Sequence, residues 1–292
     1  MHRIGYFFTR LIAEIFRFVP FWLLYILSDG LAFLLRAVVG YRKTVVDENL
    51  LRAFPEKSAA ERAEIARQSY RNLTDVTLET LKSYTLSLEE IKRRCPPRNP
   101  ELVNQYLDRG QSVMLSGSHY NNWEYTGISM PPVFHGTAVT AYKPITNPWI
   151  DAYVNRTRER TGMVMISMES TFAAIRQRER EGLRSVYILL SDQSPSSRKS
   201  AQWVDFLGQK TASLPGMDVL ARKFKLPVLY YHIRRLRRGF YAVEYSEICS
   251  DPAAAAEADI TRAYAARLEA AIREQPANWL WSHKRWKMKF DG

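Results

Sequence analysis

The sequence predicts an α/β fold in which a sheet is flanked by helices and preceded by an N-terminal membrane-anchoring helix. Three observations predict it. Short apolar runs alternate with segments of helical length after residue 100, residues 41–94 carry helical periodicity without strand alternation, and residues 18–40 are nearly all apolar. The chain has 292 residues, of which 46% are hydrophobic, so it can bury one sizeable core and still carry an appended element.

Residues 18–40 are long enough to cross a bilayer, which takes roughly 20 apolar residues. Asp29 lies within this stretch and Arg36 near its end, and a charge at bilayer depth costs roughly 2.5–3.5 kcal/mol. Shallow insertion in the plane of the interface avoids that cost. No small-residue cleavage site follows, which favours a retained anchor over a signal peptide. We therefore predict an anchor over residues 1–40, spanning or in-plane, with a buried pair of soluble helices as the alternative.

Residues 41–95 are predicted to form a helical lead-in to the main domain, which extends to residue 292. Ser58 and Glu61 form a Ser-x-x-Glu signal for a helix start, and the helical pattern continues beyond residue 70. Three prolines between residues 96 and 100 then end the pattern and mark a connector.

Five short apolar runs after the connector are predicted strands: residues 112–115, 138–142, 163–166, 185–190 and 227–233. Segments of helical length lie between most of them, such as residues 148–160 and 171–181, and another helix is predicted over residues 259–274. Strands that alternate with helices in this way are typical of an α/β sheet.

Residues 113–124 read VMLSGSHYNNWE and bring polar side chains to the end of a buried-type strand. We predict that the strand ends at Gly117 and that a helix begins near Tyr120. Ligand crevices of open α/β sheets lie outside the carboxyl ends of their strands. If Glu124 in an early helical turn reaches the imidazole of His119, it sets the ring tautomer, and the other ring nitrogen can take a proton from a substrate hydroxyl.

Asn121 and Asn122 lie between these two residues. Their side chains, with the backbone amides of the helix start, could donate hydrogen bonds to an oxyanion, so we predict that both bind substrate. The alternative for the whole cluster is a helix-capping motif that contains a hydrogen-bonded histidine.

Charge and cysteine content narrow the chemistry further. Lys and Arg total 42 against 30 Asp and Glu, a net charge of +12 that predicts an anionic partner such as anionic lipid, an acidic carrier protein or nucleic acid. Cys95 and Cys249 have no metal-ligand spacing and indicate neither a zinc site nor a disulfide framework. Motifs for metal binding, a serine nucleophile elbow or a phosphate loop do not occur, so we expect no metal and no bound cofactor.

Several blocks of the sequence together resemble one enzyme family. SHYNNWE after an apolar strand resembles the His-x-x-x-x-Asp/Glu motif of the lysophospholipid acyltransferase superfamily. Residues 142–162, YKPITNPWIDAYVNRTRERTG, resemble the block of Asn-Pro and an arginine-rich helix in the late lipid A acyltransferases. Residues 189–195, LLSDQSP, resemble the Asp-Gln block of the same enzymes, and residues 206–215, FLGQKTASLP, resemble the segment after it. More narrowly, the chain resembles the late lipid A acyltransferases, the lauroyl and myristoyl transferases of Gram-negative envelope synthesis, over nearly its whole length.

The resemblance implies a mixed sheet flanked by helices, similar to glycerol-phosphate acyltransferase. It also implies transfer of a fatty acyl group from an acyl carrier protein or coenzyme A thioester to a hydroxyl of a lipid acceptor, most directly a lipid A precursor. His119 would be the general base and Glu124 its partner, at the cytoplasmic face of the bacterial inner membrane. Asn121 stands where enterobacterial members usually carry Gly, and the Asp-Gln block continues as SPSSRKS, so another bacterial lipid, such as an amino-acid lipid or a lysophospholipid, is the alternative acceptor.

Two further residues, Arg158 and Asp192, match functional positions of the family, and Arg156 is a third candidate for substrate binding. Arg158, with Arg156 on the same predicted helix, would bind a phosphate or stabilise the oxyanion, because a guanidinium offers a fork of donors. Asp192 follows an apolar strand and would hold Arg158 or the acceptor. The alternatives are a solvated arginine and a turn-forming aspartate.

A protein of a different class is the remaining alternative. The basic runs at residues 234–238 and 283–289, with tryptophans nearby, suit a non-catalytic membrane or nucleic-acid binding protein. The apolar N-terminus argues against nucleic acid, so we expect a membrane partner instead. Trp279, Trp281 and Trp286 are predicted either at a membrane interface or in the core.

Overall fold

A computed structural model describes residues 2–290 of the chain. Its helices are α1 (His2–Phe18), α2 (Phe21–Phe33), α3 (Lys43–Ala53), α4 (Ala59–Ser83), α5 (Leu88–Arg94), α6 (Glu101–Asp108), α7 (Trp123–Ser129), α8 (Pro148–Glu159), α9 (Thr171–Arg180), α10 (Gly216–Phe224) and α11 (Asp259–Glu274). Its strands are β1 (Val113–Gly117), β2 (Thr137–Tyr142), β3 (Val164–Ser167), β4 (Ser185–Leu190), β5 (Gln202–Phe206), β6 (Gln209–Ser213), β7 (Val228–Arg237) and β8 (Phe240–Cys249).

A six-stranded sheet in the order β3-β2-β4-β1-β7-β8 forms the centre of the molecule, and β5 and β6 form a separate hairpin. Pairing is parallel from β3 through β2, β4 and β1 to β7, and β8 pairs antiparallel with β7. The predicted mixed sheet flanked by helices is therefore confirmed.

Apolar side chains cover both faces of this sheet, because successive residues of a strand point to opposite faces. In β1, Met114 belongs to one hydrophobic cluster and Leu115 to the other. In β4, Tyr187 and Ile188 divide in the same way. Central parallel strands that are buried on both faces read as continuous apolar runs, which is why the sequence revealed them.

The N-terminal helices pack along α4. Leu24, Ser28 and Ala32 of α2 lie four residues apart and are buried, and Ser28 Oγ donates to Asp75 Oδ1 of α4 (2.6 Å). Lys82 of α4 donates to backbone carbonyls at the end of α1, among them that of Phe16 (2.9 Å), where a cation satisfies free carbonyls. Within the described residues, Phe21–Val38, which extends α2 by a π-helical turn, is the stretch long and apolar enough to cross a membrane.

Most predicted elements are confirmed. The capping box is present, since Ser58 Oγ accepts from the backbone N–H of Glu61 (3.2 Å) and the Glu61 carboxylate accepts from the backbone N–H of Ser58 (2.8 Å). The predicted helix near Tyr120 begins instead at Trp123, because the chain before it forms an irregular loop. The sequence did not predict β8 or the β5–β6 hairpin, whose polar and apolar residues mix without a clear run.

Candidate active site

The carboxyl ends of two neighbouring strands bring the site together. β1 and β4 are paired in register, with Gly117 opposite Leu190. His119 and Asp192 each follow two residues later, so the register alone makes them neighbours. Gly117 is required here, because a Cβ atom at this position would lie 2.0 Å from the ring of Tyr231.

His119 is paired with Asp192. The Nδ1 atom of the ring lies 2.8 Å from Oδ1 of Asp192, and the backbone N–H of His119 donates to Oδ2 (3.0 Å). The indole N–H of Trp279 donates to the same Oδ2 (2.9 Å). The side chain of Asp192 is 2% exposed and that of His119 is 18% exposed, so the carboxylate is buried behind a ring that reaches the surface of a cleft. With Nδ1–H donating to the carboxylate, Nε2 carries the free lone pair.

Opposing effects act on the pKa values of this pair. Burial lowers the pKa of His119, but the charge of Asp192 and its hydrogen bond, helped by the charge of Glu124, raise the pKa above its ordinary value of 6.5. Burial raises the pKa of Asp192, but the charge of His119 and the hydrogen bonds from His119 and Trp279 lower it below 3.8. These effects favour an ionised Asp192, whose charge stabilises the protonated ring of His119.

Glu124 has a different partner from the one predicted. Its two carboxylate oxygens accept from Nε (3.1 Å) and Nη2 (2.7 Å) of Arg158. The predicted hydrogen bond between His119 and Glu124 is thus wrong, because Nδ1 of His119 is paired with Asp192. The prediction that Asp192 holds Arg158 is wrong too, because Asp192 accepts from His119 and Trp279 while Arg158 is paired with Glu124. The alternative, that Asp192 holds the acceptor, stays a prediction. The two carboxylates have exchanged the partners that the sequence suggested.

Three of these four side chains meet at one cavity of about 430 Å³, and Asp192 is buried behind His119. His119, Glu124 and Arg158 line it, and Gln193 stands beside the ring, with its Nε2 3.5 Å from His119 Nε2. The rest of the lining is largely apolar and includes Met130, Met163, Met165, Ile188, Leu190, Leu214 and Tyr231. A basic nitrogen at the end of an apolar cavity suits an apolar substrate with a reactive polar end.

The other predicted binding residues lie elsewhere. Asn121 is fully buried with a left-handed backbone (φ 52°), and its Nδ2 donates to the carbonyl of Ile233 (2.6 Å). Asn122 is also fully buried and caps α7, accepting from the backbone N–H of Tyr125 (2.8 Å). Both side chains are held inside the protein, so the prediction that they bind substrate is corrected. Arg156 is exposed on α8 outside the lining of the cavity.

The closing segment of the chain contributes contacts that sequence reasoning missed. The backbone N–H of Leu280 donates to the carbonyl of His119 (3.1 Å), and that of Asn121 donates to the carbonyl of Asn278 (2.9 Å). The exposed fractions of the three tryptophans in this segment are 2% (Trp279), 1% (Trp281) and 7% (Trp286). They therefore belong to the core rather than to a membrane interface. The clustering of tryptophans in WLWSHKRWK was the sequence signal that this segment packs into the core beside the site.

Comparisons with known proteins agree with this geometry. The sequence profile of the bacterial lipid A biosynthesis acyltransferases matches residues 2–288. The chain belongs to this family.

Two relatives match along nearly the whole chain. A lipid A biosynthesis acyltransferase of Haemophilus influenzae is 24% identical over 294 residues, covering 99% of this chain and 88% of the relative. A lipid A biosynthesis lauroyltransferase of Escherichia coli is 24% identical over 277 residues, covering 94% of this chain and 88% of the relative. This lipid A acyltransferase family member is an enzyme that acts on a lipid acceptor in lipid A synthesis, as the sequence predicted.

Proposed function

We propose that this enzyme transfers a fatty acyl group from the thioester of an acyl carrier protein to a hydroxyl of a lipid A precursor, with His119 as general base. The observation that carries the proposal is the imidazole of His119, paired with a buried carboxylate and open to an apolar cavity. No cofactor takes part beyond the acyl donor.

In this mechanism Nε2 of His119 removes the proton of the acceptor hydroxyl as its oxygen attacks the thioester carbonyl. Asp192 stabilises the imidazolium that results. When the tetrahedral intermediate collapses, the C–S bond breaks and the imidazolium returns the proton to the departing thiolate. The enzyme forms no covalent intermediate, because the substrate supplies the nucleophile.

Arg158 would bind the negative charge of the reaction. Glu124 holds Nε and Nη2 of this guanidinium in a bidentate pair, and Nη1 has no hydrogen-bond partner within the described part of the chain. That nitrogen is suited to the thioester oxygen as it becomes negative, or to a phosphate of the acceptor. Glu124 thus acts by orienting Arg158.

An acidic carrier protein suits the charge around the cavity. Lys143 lines the cavity and is exposed, and Lys284 is exposed on the closing segment. Ser194 Oγ donates to the carbonyl of Lys284 (3.3 Å), and the neighbouring Gln193 lines the cavity. Lys143 on the cavity and Lys284 beside residues 193–194 would attract a carrier protein of opposite charge.

We propose that α1 and α2 lie in the plane of the inner membrane at its cytoplasmic face rather than spanning it. Both helices expose large apolar side chains, among them Phe7 (61%), Phe18 (81%) and Trp22 (66%). Asp29 of α2 is ion-paired with Arg71 (2.7 Å) and Arg238 (2.6 Å) of the main domain. Spanning would break these pairs and carry Asp29 into hydrocarbon, whereas in-plane binding keeps them.

This orientation also brings the cavity to the lipid. Tyr6 of α1 contacts the rings of Trp149 and Tyr153 on α8, the helix that carries Arg158. Ile145, just before α8, and Asp151, in its first turn, line the cavity. A lipid could therefore pass from the interface beside α1 to the cavity without crossing water.

Acyl transfer by the purified full-length chain tests the catalytic proposal. Acyl carrier protein loaded with a fatty acid is mixed with a lipid A precursor, a lysophospholipid or an amino-acid lipid, and products are identified by mass spectrometry. We expect acylation of the lipid A precursor and a loss on the order of 10²–10⁴-fold in His119→Ala. His135→Ala is the control for loss of a histidine. Acylation of another acceptor alone would reject the proposed substrate, and an active His119→Ala would reject the mechanism.

Labelling of intact spheroplasts tests the orientation. An impermeant maleimide should leave Arg3→Cys unlabelled until the cells are lysed, because in-plane helices stay on the cytoplasmic side. Labelling before lysis would show that α2 spans. In flotation with anionic vesicles, Phe7→Asp combined with Leu11→Asp should weaken binding, whereas Val219→Asp on α10, which is also exposed, should not.

A further inference from the structure

A buried carboxylate on α4 joins three distant parts of the chain. Glu79 is fully buried. Its Oε1 accepts from the hydroxyl of Tyr25 on α2 (2.9 Å), and its Oε2 accepts from Nδ2 of Asn122 (2.6 Å) and the hydroxyl of Tyr241 on β8 (2.8 Å). A buried carboxyl group is costly unless hydrogen bonds compensate, and three donors compensate this one.

One of these donors belongs to the loop that carries the catalytic histidine. We call residues 118–122, between β1 and α7, the catalytic loop. Asn122 is its last residue and has a two-sided role, since Nδ2 donates to Glu79 while Oδ1 caps α7. Glu79 determines which way this amide is turned, because a carboxylate accepts hydrogen bonds from the NH₂ end only. The amide oxygen is then directed to the first turn of α7, where Glu124 lies.

We propose that Glu79 is a positioning residue that holds the catalytic loop, through Asn122, in the arrangement that acyl transfer requires. His119 lies three residues before Asn122 and Glu124 two residues after it, so a shift of this amide moves both. Because Tyr25 on α2 binds the same carboxylate, the loop is also tied to the helix we assign to the membrane. The inference rests on the proposed function for its activity measurements.

Asp75 provides a matched control. It lies one turn earlier on α4 and is equally buried. It also accepts from Ser28 of α2, from Arg235 (2.7 Å) and from Arg238 (2.6 Å). None of its hydrogen bonds or ion pairs within residues 2–290 reaches the catalytic loop. A substitution at Asp75 therefore perturbs the same buried network without touching Asn122.

The kinetic experiment compares four single variants and one double variant of the full-length chain with the wild type. Glu79→Met keeps the side-chain volume but removes both acceptors, and Glu79→Gln keeps one acceptor for Asn122. Asn122→Ser keeps a helix cap but is too short to reach Glu79. We expect Glu79→Met and Asn122→Ser each to lower kcat by about 10- to 100-fold, as misplaced catalytic groups do, with KM nearly unchanged.

Glu79→Gln should recover most of the lost kcat. Asp75→Asn should lower the melting temperature but leave kcat of the folded enzyme unchanged. The double variant Glu79→Met, Asn122→Ser should be no slower than the slower single variant, because both break one link. If the losses of kcat in the two single variants multiply in the double variant, or if kcat is unchanged in Asn122→Ser, the proposal is overturned.

Hydrogen exchange separates this inference from the proposed function. Peptides covering residues 118–128 should exchange faster in Glu79→Met and in Asn122→Ser than in the wild type, but not in Asp75→Asn. This measurement needs no substrate and holds even if the enzyme transfers no acyl group to a lipid A precursor. Wild-type exchange in both variants, or equal acceleration in Asp75→Asn, would show that Glu79 does not position the loop.

Discussion

Two histidine–aspartate pairs in this molecule have the same distance between the ring nitrogen and the carboxylate oxygen, but they lie in different surroundings. In both, Nδ1 of the histidine lies 2.8 Å from Oδ1 of the aspartate. His119 and Asp192 lie at the end of the central strands and are 18% and 2% exposed, whereas His135 and Asp108 lie at the surface and are 58% and 56% exposed. Geometry alone does not distinguish them.

Their environments do. Asp192 has two further donors, the indole of Trp279 and the backbone of His119, and its charge acts on the ring where water is excluded. Asp108 faces water, which screens its charge. An apolar cavity opens beside His119, whereas the ring of His135 is more than half exposed at the surface. A histidine–aspartate pair is thus suited to catalysis by its burial and by what lies next to its free nitrogen.

The largest expected effect is that of Asp192→Asn. The substitution keeps the shape of the side chain but removes the charge and permits the wrong ring tautomer, so we expect kcat to fall by on the order of 10³–10⁴-fold. Asp108→Asn, which alters the surface pair in the same way, should leave acyl transfer unchanged. Similar losses in both variants would contradict the comparison.

Glu124 and Arg158 should act as one unit with a smaller effect. Glu124→Ala leaves Arg158 unheld, and Arg158→Ala removes the donor itself, so each should lower kcat/KM by about 10²-fold. The double variant should be close to either single variant, because both lose the same interaction. If Glu124 acted directly on His119 as well, the double variant would be far slower than Arg158→Ala.

The pH dependence of acyl transfer measures the charge that Asp192 places on His119. The base must be neutral, and its pKa lies above 6.5, so kcat/KM should fall about tenfold for each pH unit below that raised pKa. In Asp192→Asn the effect of burial, which lowers the pKa of His119, remains without the charge of Asp192, and only the weaker effect of Glu124 opposes it. The inflection of the residual activity should therefore move to lower pH, and it should not move in Asp108→Asn.

The smallest expected effect is that of Trp279→Phe. This change keeps an aromatic ring in the core but removes one donor to Asp192, which should lower kcat by about tenfold. Trp281→Phe is the control, because its indole donates to the backbone carbonyl of Pro276 and not to the site. Equal losses in the two variants would indicate a packing effect.

Much of the fold could be predicted because its signals are local. The β4 run SVYILL, the capping box of Ser58 and the prolines before residue 101 each act within a few residues of themselves. The edge strand β8 escaped prediction because its polar residues interrupt the apolar pattern. The buried network of Glu79 and Asp75 escaped it too, since nothing near these residues in sequence shows that α4 is covered by α2 and β8.

The sequence by itself determined that residue 119 is a histidine after a buried strand, with a carboxylate five residues later and another at residue 192. Only the tertiary structure decided which carboxylate binds the ring. The parallel register that sets Gly117 opposite Leu190 brings Asp192 to His119 across 73 residues, whereas α7 turns Glu124 toward Arg158. Hydrogen bonds act over about 3 Å in space, so strand pairing and not distance along the chain selects the partner.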